Sequence, residues 1–329
     1  MLDIFSNDAF SVVSLTSSLE ILPLRYNRLG EMRLFEEEGI TTTKVGIEQN
    51  EGILSLIPMQ PRGTMPEFKG TDVRSVRDLR VPHLPKNDSI LADEVQNLRS
   101  FGSEDQLAAV SAVVNSKLAR LKADHETTWE WLRACALRGL VVDANGSSVI
   151  YNLFTEFGVT ETNVNFPVAT AGGMRTAVST VLDSMELAMG SLTYTGITAL
   201  CSTGFWSSFI NSTDVQAAYE RWQDGEFRRQ SPNTPFEYGG ISWMRYSATI
   251  GGTPYVPANR CRFFATGATG LFQVRYAPAD FIETVNTPGK PYYAKQEPMP
   301  FGKGIMLHTQ SNPLFFCTRP KTLIQGTIT

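Results

Sequence analysis

The sequence predicts an α+β protein that carries one extended β-ribbon. Two stretches within residues 43–80 alternate apolar and polar side chains on either side of a tip rich in proline and glycine, the pattern of two paired strands. Residues 103–138 instead place apolar side chains three and four residues apart, as in a helix with one buried stripe. Strand-like stretches then recur between residues 241 and 276.

The composition allows a well-packed core and argues against some functions. Hydrophobic residues make up 42% of the 329 residues and charged residues 19%, so the chain is not disordered by composition. This length predicts about two domains. The net charge is −4, which disfavours a protein that coats nucleic acid, because phosphate binding requires clustered Lys and Arg.

Secretion and membrane insertion are not expected. The N-terminus lacks a basic leader followed by an apolar core, and no apolar run approaches the roughly 18 residues that span a bilayer. The cysteines Cys135, Cys201, Cys261 and Cys317 are widely spaced. We expect them to be reduced and buried, in a chain kept under cytosol-like conditions.

The ribbon has one apolar face that needs a cover. In its first strand Val45 and Ile47 alternate with Lys44 and Glu48. A long two-stranded ribbon is marginal in water when nothing covers its apolar face, and no adjacent segment suits that purpose. The cover must come from elsewhere in the chain or from another copy of it. The second strand is predicted to place Val73, Ser75, Arg77 and Leu79 on one face and Asp72, Arg74, Val76 and Asp78 on the other.

The segments beside the ribbon look less regular. Residues 1–42 mix short apolar clusters with polar breaks and predict an extended arm with one helical turn. Within them, the run Glu36–Glu38 is expected to be a solvated face and not a cation site. The span 81–88 contains two prolines and is predicted to interrupt regular structure.

The clearest helix begins near Ser103, where Ser103 and Gln106 have the spacing of a capping box. Gly139 is a natural stop. A hairpin follows, because Asn145-Gly146 lies between two β-branched runs. After Phe166 we predict helices at 173–189 and 213–223, separated by a Ser/Thr/Gly-rich piece, then strands at 241–250, 260–266 and 271–276 and a final C-terminal strand.

No motif for catalysis is present. The sequence lacks G-x-S-x-G, G-x-x-x-x-G-K-[ST] and H-E-x-x-H, and its histidines, His83, His125 and His308, are predicted to be isolated. Gly267 and Gly270 fit a turn between two strands better than a phosphate loop. A basic cluster for nucleic acid, Arg221, Arg228 and Arg229, is interleaved with acidic residues. We therefore expect a structural protein with no catalytic, cofactor-binding or metal-binding residues.

Three segments and the order of the elements resemble one family. The segments are "LRGLVVDANGSSVIYNLFTEFGV", "PYVPANRCRFFATG" and the last 44 residues from "NTPGKPYY" onward. Within them, Pro257-Ala258-Asn259 precedes a strand, and the run from Gln310 to Leu314 leads to the final strand. With an arm, a ribbon, a long helix, a hairpin and a mixed domain in this order, the chain resembles tailed-phage major capsid proteins with the Hong Kong 97-type fold, in the lambda-like capsid protein E family.

The resemblance implies a division of the chain. It predicts an N-terminal arm at 1–42, an extended loop at 43–86 formed by the ribbon, a peripheral domain at 87–165 and 287–329, and an axial domain at 166–286. The long helix would be the spine helix of the peripheral domain. The extended loop would lie across a neighbouring subunit, so that another copy covers the ribbon.

The resemblance also implies partners and a location. Such proteins form the hexamers and pentamers of an icosahedral virion that encloses double-stranded DNA without binding it specifically. Assembly in the host cytoplasm with a separate scaffold, a portal and a decoration protein would follow, with no membrane involved. Nothing in the sequence supports a covalent Lys–Asn cross-link, although Lys69 lies on the ribbon.

Six charged residues of the ribbon are the predicted inter-subunit contacts: Glu67, Asp72, Arg74, Arg77, Asp78 and Arg80. Three alternatives to a phage shell stay open at this point. One is a phage tail or baseplate component, which also uses β-ribbons between subunits but rarely carries so long a helix. An encapsulin-like compartment would use the same fold around a protein cargo. A cytoplasmic enzyme with an unrecognised site would be a compact monomer or small oligomer with a polar pocket.

Overall fold

The computed structural model describes residues 28–50, 74–95, 106–143, 148–224, 235–250 and 252–328. In these residues the helices are α1 (Arg28–Glu31), α2 (Ala92–Val95), α3 (Gln106–Ala136), α4 (Leu153–Glu156), α5 (Gly173–Met189), α6 (Thr203–Ile210) and α7 (Thr213–Asp224). The strands of the first half are β1 (Glu36–Gly39), β2 (Lys44–Asn50), β3 (Arg74–Arg80), β4 (Leu84–Leu91), β5 (Leu140–Val142), β6 (Val149–Asn152) and β7 (Thr162–Phe166). Those of the second half are β8 (Gly196–Cys201), β9 (Phe236–Tyr238), β10 (Ile241–Arg245), β11 (Thr249–Ile250), β12 (Thr253–Pro254), β13 (Arg260–Thr266), β14 (Phe272–Tyr276), β15 (Tyr293–Pro298), β16 (Gly304–Ser311), β17 (Pro313–Cys317) and β18 (Ile324–Ile328).

A six-stranded sheet forms the core of the second half, in the order β7-β18-β13-β8-β10-β9. β13 runs antiparallel to both of its neighbours, whereas β7 and β18 pair in parallel, as do β8 and β10. Stacked and edge-on aromatic rings fill the core beside this sheet, and Phe209 and Trp243 stack with their ring centroids 4.0 Å apart. Both side chains are fully buried.

The predicted helices at 173–189 and 213–223 are present as α5 and α7, but the piece between them was predicted poorly. It contains β8 and α6, neither of which the sequence analysis anticipated. Residues 197–201 of β8 are all buried, so this strand shows no polar–apolar alternation. Ser202 is the N-cap of α6 and accepts a hydrogen bond from the Phe205 backbone N–H at 3.4 Å.

Two three-stranded sheets flank the long helix, in the orders β1-β14-β17 and β15-β16-β4. Residues 81–83 interrupt regular structure as predicted. The prediction is wrong for residues 84–88, because β4 begins at Leu84 and includes Pro85. β4 is an edge strand, and a proline is tolerated there because one side of the strand needs no ladder hydrogen bond. The acidic run Glu36–Glu38 forms most of β1, where Glu36 Oε1 accepts a hydrogen bond from the Gly270 N–H at 2.7 Å.

The helix α3, called the spine helix below, is about 46 Å long at 1.5 Å per residue. A single buried stripe was predicted, and residues 111–120 show it, with Val114 and Leu118 buried between exposed neighbours. Residues 129–137 are buried on every side, so the prediction is wrong for this half. The strands β17 and β5 and the helix α1 pack against the spine helix, and residues 129–137 have no solvent-facing side.

The buried half of the spine helix carries charged and polar side chains that are hydrogen-bonded. His125 Nε2 lies 3.1 Å from Thr309 Oγ1, and the Trp129 Nε1–H donates to Ser311 Oγ at 3.1 Å. Burial, with a smaller contribution from nearby Lys86, lowers the pKa of His125 to about 4. His125 is therefore neutral in the folded chain at neutral pH.

The sheets cross the predicted domain boundaries. β18 lies between β7, from the predicted peripheral domain, and β13, from the predicted axial domain. β14 likewise joins β17 to β1 of the arm. The arm does contain the expected helical turn, α1. The division into peripheral and axial domains remains a prediction.

We predict that acid weakens the folded subunit through His125. The pKa of this group is about 4 when folded and 6.5 when exposed, so the unfolded chain binds the extra proton between these values and stability falls as pH drops through that range. At pH 4.5 the loss is roughly 2–3 kcal/mol. Urea unfolding at pH 7.5 and 4.5, followed by circular dichroism, should show a smaller pH dependence for His125→Gln than for the unchanged chain. His83→Gln, at an exposed position, is the control, and equal pH dependence in all three proteins would contradict the assignment.

Candidate inter-subunit surfaces

The base of the ribbon pairs β2 with β3 in an antiparallel register that sets its two faces. Val45 lies opposite Leu79, and Ile47 opposite Arg77. Directly opposed residues share a face, so these four side chains lie on one side. Asp78 and Arg80 lie on the other side, opposite Gly46 and Lys44.

The apolar face of this base is covered within the subunit. Val45, Ile47 and Leu79 retain 8%, 8% and 2% of their exposure. The cover includes the segment after β5, since the Arg77 guanidinium lies 5.5 Å from the centre of the Phe157 ring and the Arg80 N–H donates to the Tyr151 hydroxyl at 3.0 Å. The expectation that another copy covers the ribbon is therefore wrong for its base. The tip, residues 51–73, lies outside the described residues.

The six predicted contact residues fall into three groups. Asp78 and Arg80 are exposed on the outer face of the base, where a neighbour can reach them. Arg77 is half-buried and faces its own subunit through Phe157. Arg74 begins β3, and the structure does not describe the surroundings of its side chain. Glu67 and Asp72 lie outside the described residues. The role of these six residues in contacts between subunits remains a prediction.

Glu130 of the spine helix joins three parts of the chain. Its Oε1 accepts hydrogen bonds from the Leu29 N–H at 2.8 Å and from the Tyr246 hydroxyl at 2.6 Å, and Arg133 Nη1 lies 3.8 Å from its Oε2. Burial raises the pKa of Tyr246, and the Glu130 carboxylate raises it further. The arm, the helix and the segment after β10 thus meet at one buried carboxylate, which sequence analysis missed because its partners are more than 100 residues away.

The three histidines were predicted to be isolated, but the structure brings them to one region. His83 lies 2.9 Å from Asn312 Oδ1, and His308 lies 2.5 Å from Asn87 Oδ1. His125 is hydrogen-bonded to Thr309, the residue that follows His308 in sequence. The described part of the chain holds no group of three His, Cys, Asp or Glu side chains that could bind a metal ion. Each histidine has a structural partner.

The cysteines are free thiols and all four are buried. Sequence spacing did not indicate that Cys201 and Cys261 lie opposite each other on β8 and β13, with their Sγ atoms 3.3 Å apart. Burial raises the pKa of Cys135 and Cys317 to about 12. Neither of these two thiols is activated as a nucleophile.

A cavity of about 550 Å³ lies between β7 and α5. No charged residue lines it; Asn, Thr, Ala, Gly, Pro and Val side chains do. At the start of α5, the Asp214 carboxylate already accepts hydrogen bonds from the backbone N–H groups of Gly172 and Met174, at 2.9 and 3.2 Å. This cavity has none of the acid, base or nucleophile groups that catalysis requires.

Large apolar side chains are exposed at several points on the described surface. Phe301 is 96% exposed, Ile282 91%, Leu187 77% and Val285 64%. Apolar side chains exposed singly are common on protein surfaces, so exposure alone does not identify a contact site. Within the described residues, no helix is long and apolar enough to cross a membrane.

Comparison with known proteins identifies the family. The family model described as phage major capsid protein E matches residues 11–328. The chain belongs to this family. Its relatives include the major capsid protein of Pseudomonas phage KPP10, 26% identical over 351 aligned positions, with 96% of each chain covered. The major capsid protein of Salmonella phage Felix O1 is 23% identical over 355 positions, covering 96% of this chain and 95% of the relative.

Solved structures show the same fold at low identity. A prophage capsid protein of E. coli CFT073 superposes with a TM-score of 0.58 at 11% identity, covering 97% of this chain and 99% of that one. The capsid of Myoviridae phage XM1 gives a TM-score of 0.50 at 12% identity, with 94% and 95% covered. The fold is that of tailed-phage capsids, the Hong Kong 97 type, as predicted. This phage major capsid protein is a structural component of the virion and not an enzyme.

We predict that mutation of the ribbon base destabilises the folded subunit, whereas replacement of the ribbon tip does not. Ile47→Ser should lower the free energy of unfolding by about 2–4 kcal/mol, because it places a hydroxyl in a buried apolar site and leaves a void. Replacing residues 51–73 with a short Gly/Ser linker should leave the helical circular dichroism of the subunit near native.

Asp78→Ser, on the exposed face of the same ribbon, is the matched control and should change stability by about 0.5 kcal/mol or less. Urea unfolding measures all three variants. An Ile47→Ser subunit as stable as Asp78→Ser would show that the subunit does not cover its own ribbon.

Proposed function

We propose that this capsid protein self-assembles into the hexamers and pentamers of an icosahedral head that encloses packaged double-stranded DNA. The match of the capsid protein E family to residues 11–328 carries the proposal, because such a shell consists of many copies of one chain. The ribbon, whose outer face exposes Asp78 and Arg80, supplies one surface through which copies meet.

The ribbon is the element that reaches a neighbouring subunit. Its base is held rigidly on its own subunit by the buried Val45, Ile47 and Leu79, so residues 51–73 start from a fixed point. A fixed base reduces the conformational entropy lost when the ribbon docks. The predicted arm (1–42), extended loop (43–86), peripheral domain (87–165 and 287–329) and axial domain (166–286) belong to this proposal.

The head encloses DNA without holding it tightly. The chain has a net charge of −4, and tight DNA binding requires several clustered phosphate contacts from Lys or Arg. In the predicted basic cluster, Arg221 is exposed on α7 beside the half-buried Trp222, while Arg228 and Arg229 lie outside the described residues. A wall with little affinity for DNA allows packaging and later release.

The remaining partners are those that such a head requires. We propose assembly in the host cytoplasm with a scaffold, a portal and a decoration protein, each a separate chain. An encapsulin-like compartment and an enzyme are not favoured, because the relatives that match over the whole chain are phage major capsid proteins.

Negative-stain electron microscopy tests the proposal directly. The purified chain, alone and together with the proteins encoded beside its gene, should form closed shells of uniform diameter. Particles from a productive infection should contain nuclease-protected DNA. Only small oligomers under all these conditions would refute the proposal, and a folded enzyme as the packaged content would instead indicate the compartment.

We predict that the exposed charges of the ribbon base set the register of the ribbon on its neighbour. The double variant Asp78→Arg with Arg80→Glu keeps the net charge and exchanges the two signs on one face. Such exposed charges contribute about 1 kcal/mol or less each, and act mainly on orientation and rate. Assembly followed by light scattering should be several-fold slower, and the difference should shrink as salt increases.

The control is Arg77→Gln, which removes the cation over Phe157 inside the subunit. It should lower subunit stability slightly and leave the salt dependence of assembly unchanged. Assembly kinetics of the double variant that match the unchanged chain at every salt concentration would rule out this role for Asp78 and Arg80.

A further inference from the structure

The turn between β15 and β16 presents an aromatic side chain to solvent. Phe301 lies in the 3-10 turn Pro300–Gly302 and is 96% exposed. Its backbone is left-handed, with φ 63° and ψ 16°. This conformation is unfavourable for a side chain with a Cβ, and a bulky aromatic residue adopts it rarely.

The strained turn is held firmly in place. The Met299 N–H donates to the Gly304 carbonyl at 2.9 Å, and the Gly302 N–H donates to the Met299 carbonyl at 3.1 Å. A Cβ at Gly304 would lie 2.2 Å from the Ile90 carbonyl oxygen, so the strand after the turn fits closely against β4.

The sheet that carries the turn is itself fixed to the spine helix. His125 bonds to Thr309 of β16 at 3.1 Å, and Lys86 of β4 pairs with Asp124 at 2.7 Å. Phe301 is thus displayed on a rigid support and does not belong to a fraying chain end.

Two unfavourable features coincide at this position. Glycine or asparagine would adopt the left-handed backbone with less strain, and either would avoid exposing an aromatic ring. Within the isolated subunit, the one ring contact described for Phe301 is the distant ammonium of Lys303. Backbone strain that the surrounding structure maintains is typical of binding sites, and an exposed aromatic ring is typical of the centre of an interface.

The surroundings of Phe301 indicate what it binds. Leu91, 39% exposed, ends β4 opposite Gly304, close to the turn. Exposed charges of both signs lie on the elements that meet there, Lys303 after the turn, Glu297 on β15 and Asp93 on α2. Lys303 Nζ lies 6.0 Å from the Phe301 ring, and the Lys303 carbonyl accepts a hydrogen bond from the Ala92 N–H at 3.0 Å, next to Asp93.

A surface patch that combines an exposed apolar side chain with charges of both signs can pair with the same patch on a second copy of the chain. A second copy supplies a matching ring, and Lys303 of one copy can pair with Asp93 or Glu297 of another. We propose that the tip defined by Leu91, Asp93, Glu297, Phe301 and Lys303 is a contact between copies of this chain, with the Phe301 ring as its buried centre. The proposal rests on the self-assembly proposed above and names the residues of one contact within it.

The substitution Phe301→Gly separates folding from assembly. It removes the strained φ and the exposed ring, so the midpoint of urea unfolding of the isolated subunit should stay the same or rise. The critical concentration for shell formation should rise at least about tenfold, the change that a loss of roughly 1.4 kcal/mol produces. Phe301→Leu keeps an apolar side chain and should assemble within a few-fold of the unchanged chain.

Leu187→Ser is the matched control, because Leu187 is 77% exposed on α5, outside the tip. It should leave the critical concentration nearly unchanged. An equal defect in Leu187→Ser and Phe301→Gly would mean that assembly depends on exposed apolar surface in general, and would overturn the proposal. Unchanged assembly of Phe301→Gly would overturn it as well.

Thiol labelling identifies the partner. All four native cysteines are buried, so a maleimide reports on position 301 in a Phe301→Cys variant. Shells of the unchanged chain that contain about one variant copy in ten should protect this thiol at least about tenfold relative to the free subunit, with no other protein present.

Two results of the labelling would overturn the proposal. One is equal labelling in shells and in subunits, and the other is protection that begins only when another head protein is added, which assigns the tip to that protein. If the unchanged chain forms no shells, the proposed function itself fails, and microscopy shows this before any labelling is done.

Discussion

The fold depends on keeping the charges of the spine helix satisfied where the helix is buried. A carboxylate removed from water costs several kcal/mol unless hydrogen bonds and a counter-charge replace its hydration. Glu130 obtains these from the backbone of Leu29, the hydroxyl of Tyr246 and the guanidinium of Arg133. Each partner comes from a different segment, so the arm and the segment after β10 must be in place before the helix can be fully enclosed. One buried group thereby makes the assembly of distant parts cooperative.

The ribbon shows how this enclosed centre supports a projecting element. Val45, Ile47 and Leu79 bury one face of the ribbon base in the same hydrophobic core, and Arg77 adds a cation over Phe157. The opposite face leaves Asp78 and Arg80 in water. A ribbon attached in this way can reach a neighbour without becoming part of the fold of that neighbour, because the subunit already supplies the energy that holds its base.

Several polar side chains in the interior are hydrogen-bonded, whereas several apolar side chains on the surface are exposed to water. On the spine helix, buried His125, Trp129 and Glu130 have hydrogen-bond partners at 2.6–3.1 Å, whereas Phe301 and Ile282 expose most of their apolar surface. An exposed apolar side chain contributes no burial energy to the isolated subunit. In the contact proposed for Phe301, burial between copies would supply that energy and offset the strain of the turn.

The sequence alone determined the elements that have one buried side and one exposed side. The helix at 173–189 and the paired strands of the ribbon each repeat at a period that marks one buried side. The hairpin before Phe166 was predicted from its turn, Asn145-Gly146 between two β-branched runs, and the order of these elements already indicated the family. Only the tertiary structure decided the rest. β8 is buried on both faces and has no period, β4 accepts Pro85 because it lies at an edge, and the cover of Val45 and Ile47 comes from this same chain. The partners of Glu130 and the approach of Cys201 to Cys261 involve residues 60 to 116 positions apart. Local periodicity reports which side of a segment is buried, but it holds no information about which distant segment buries it.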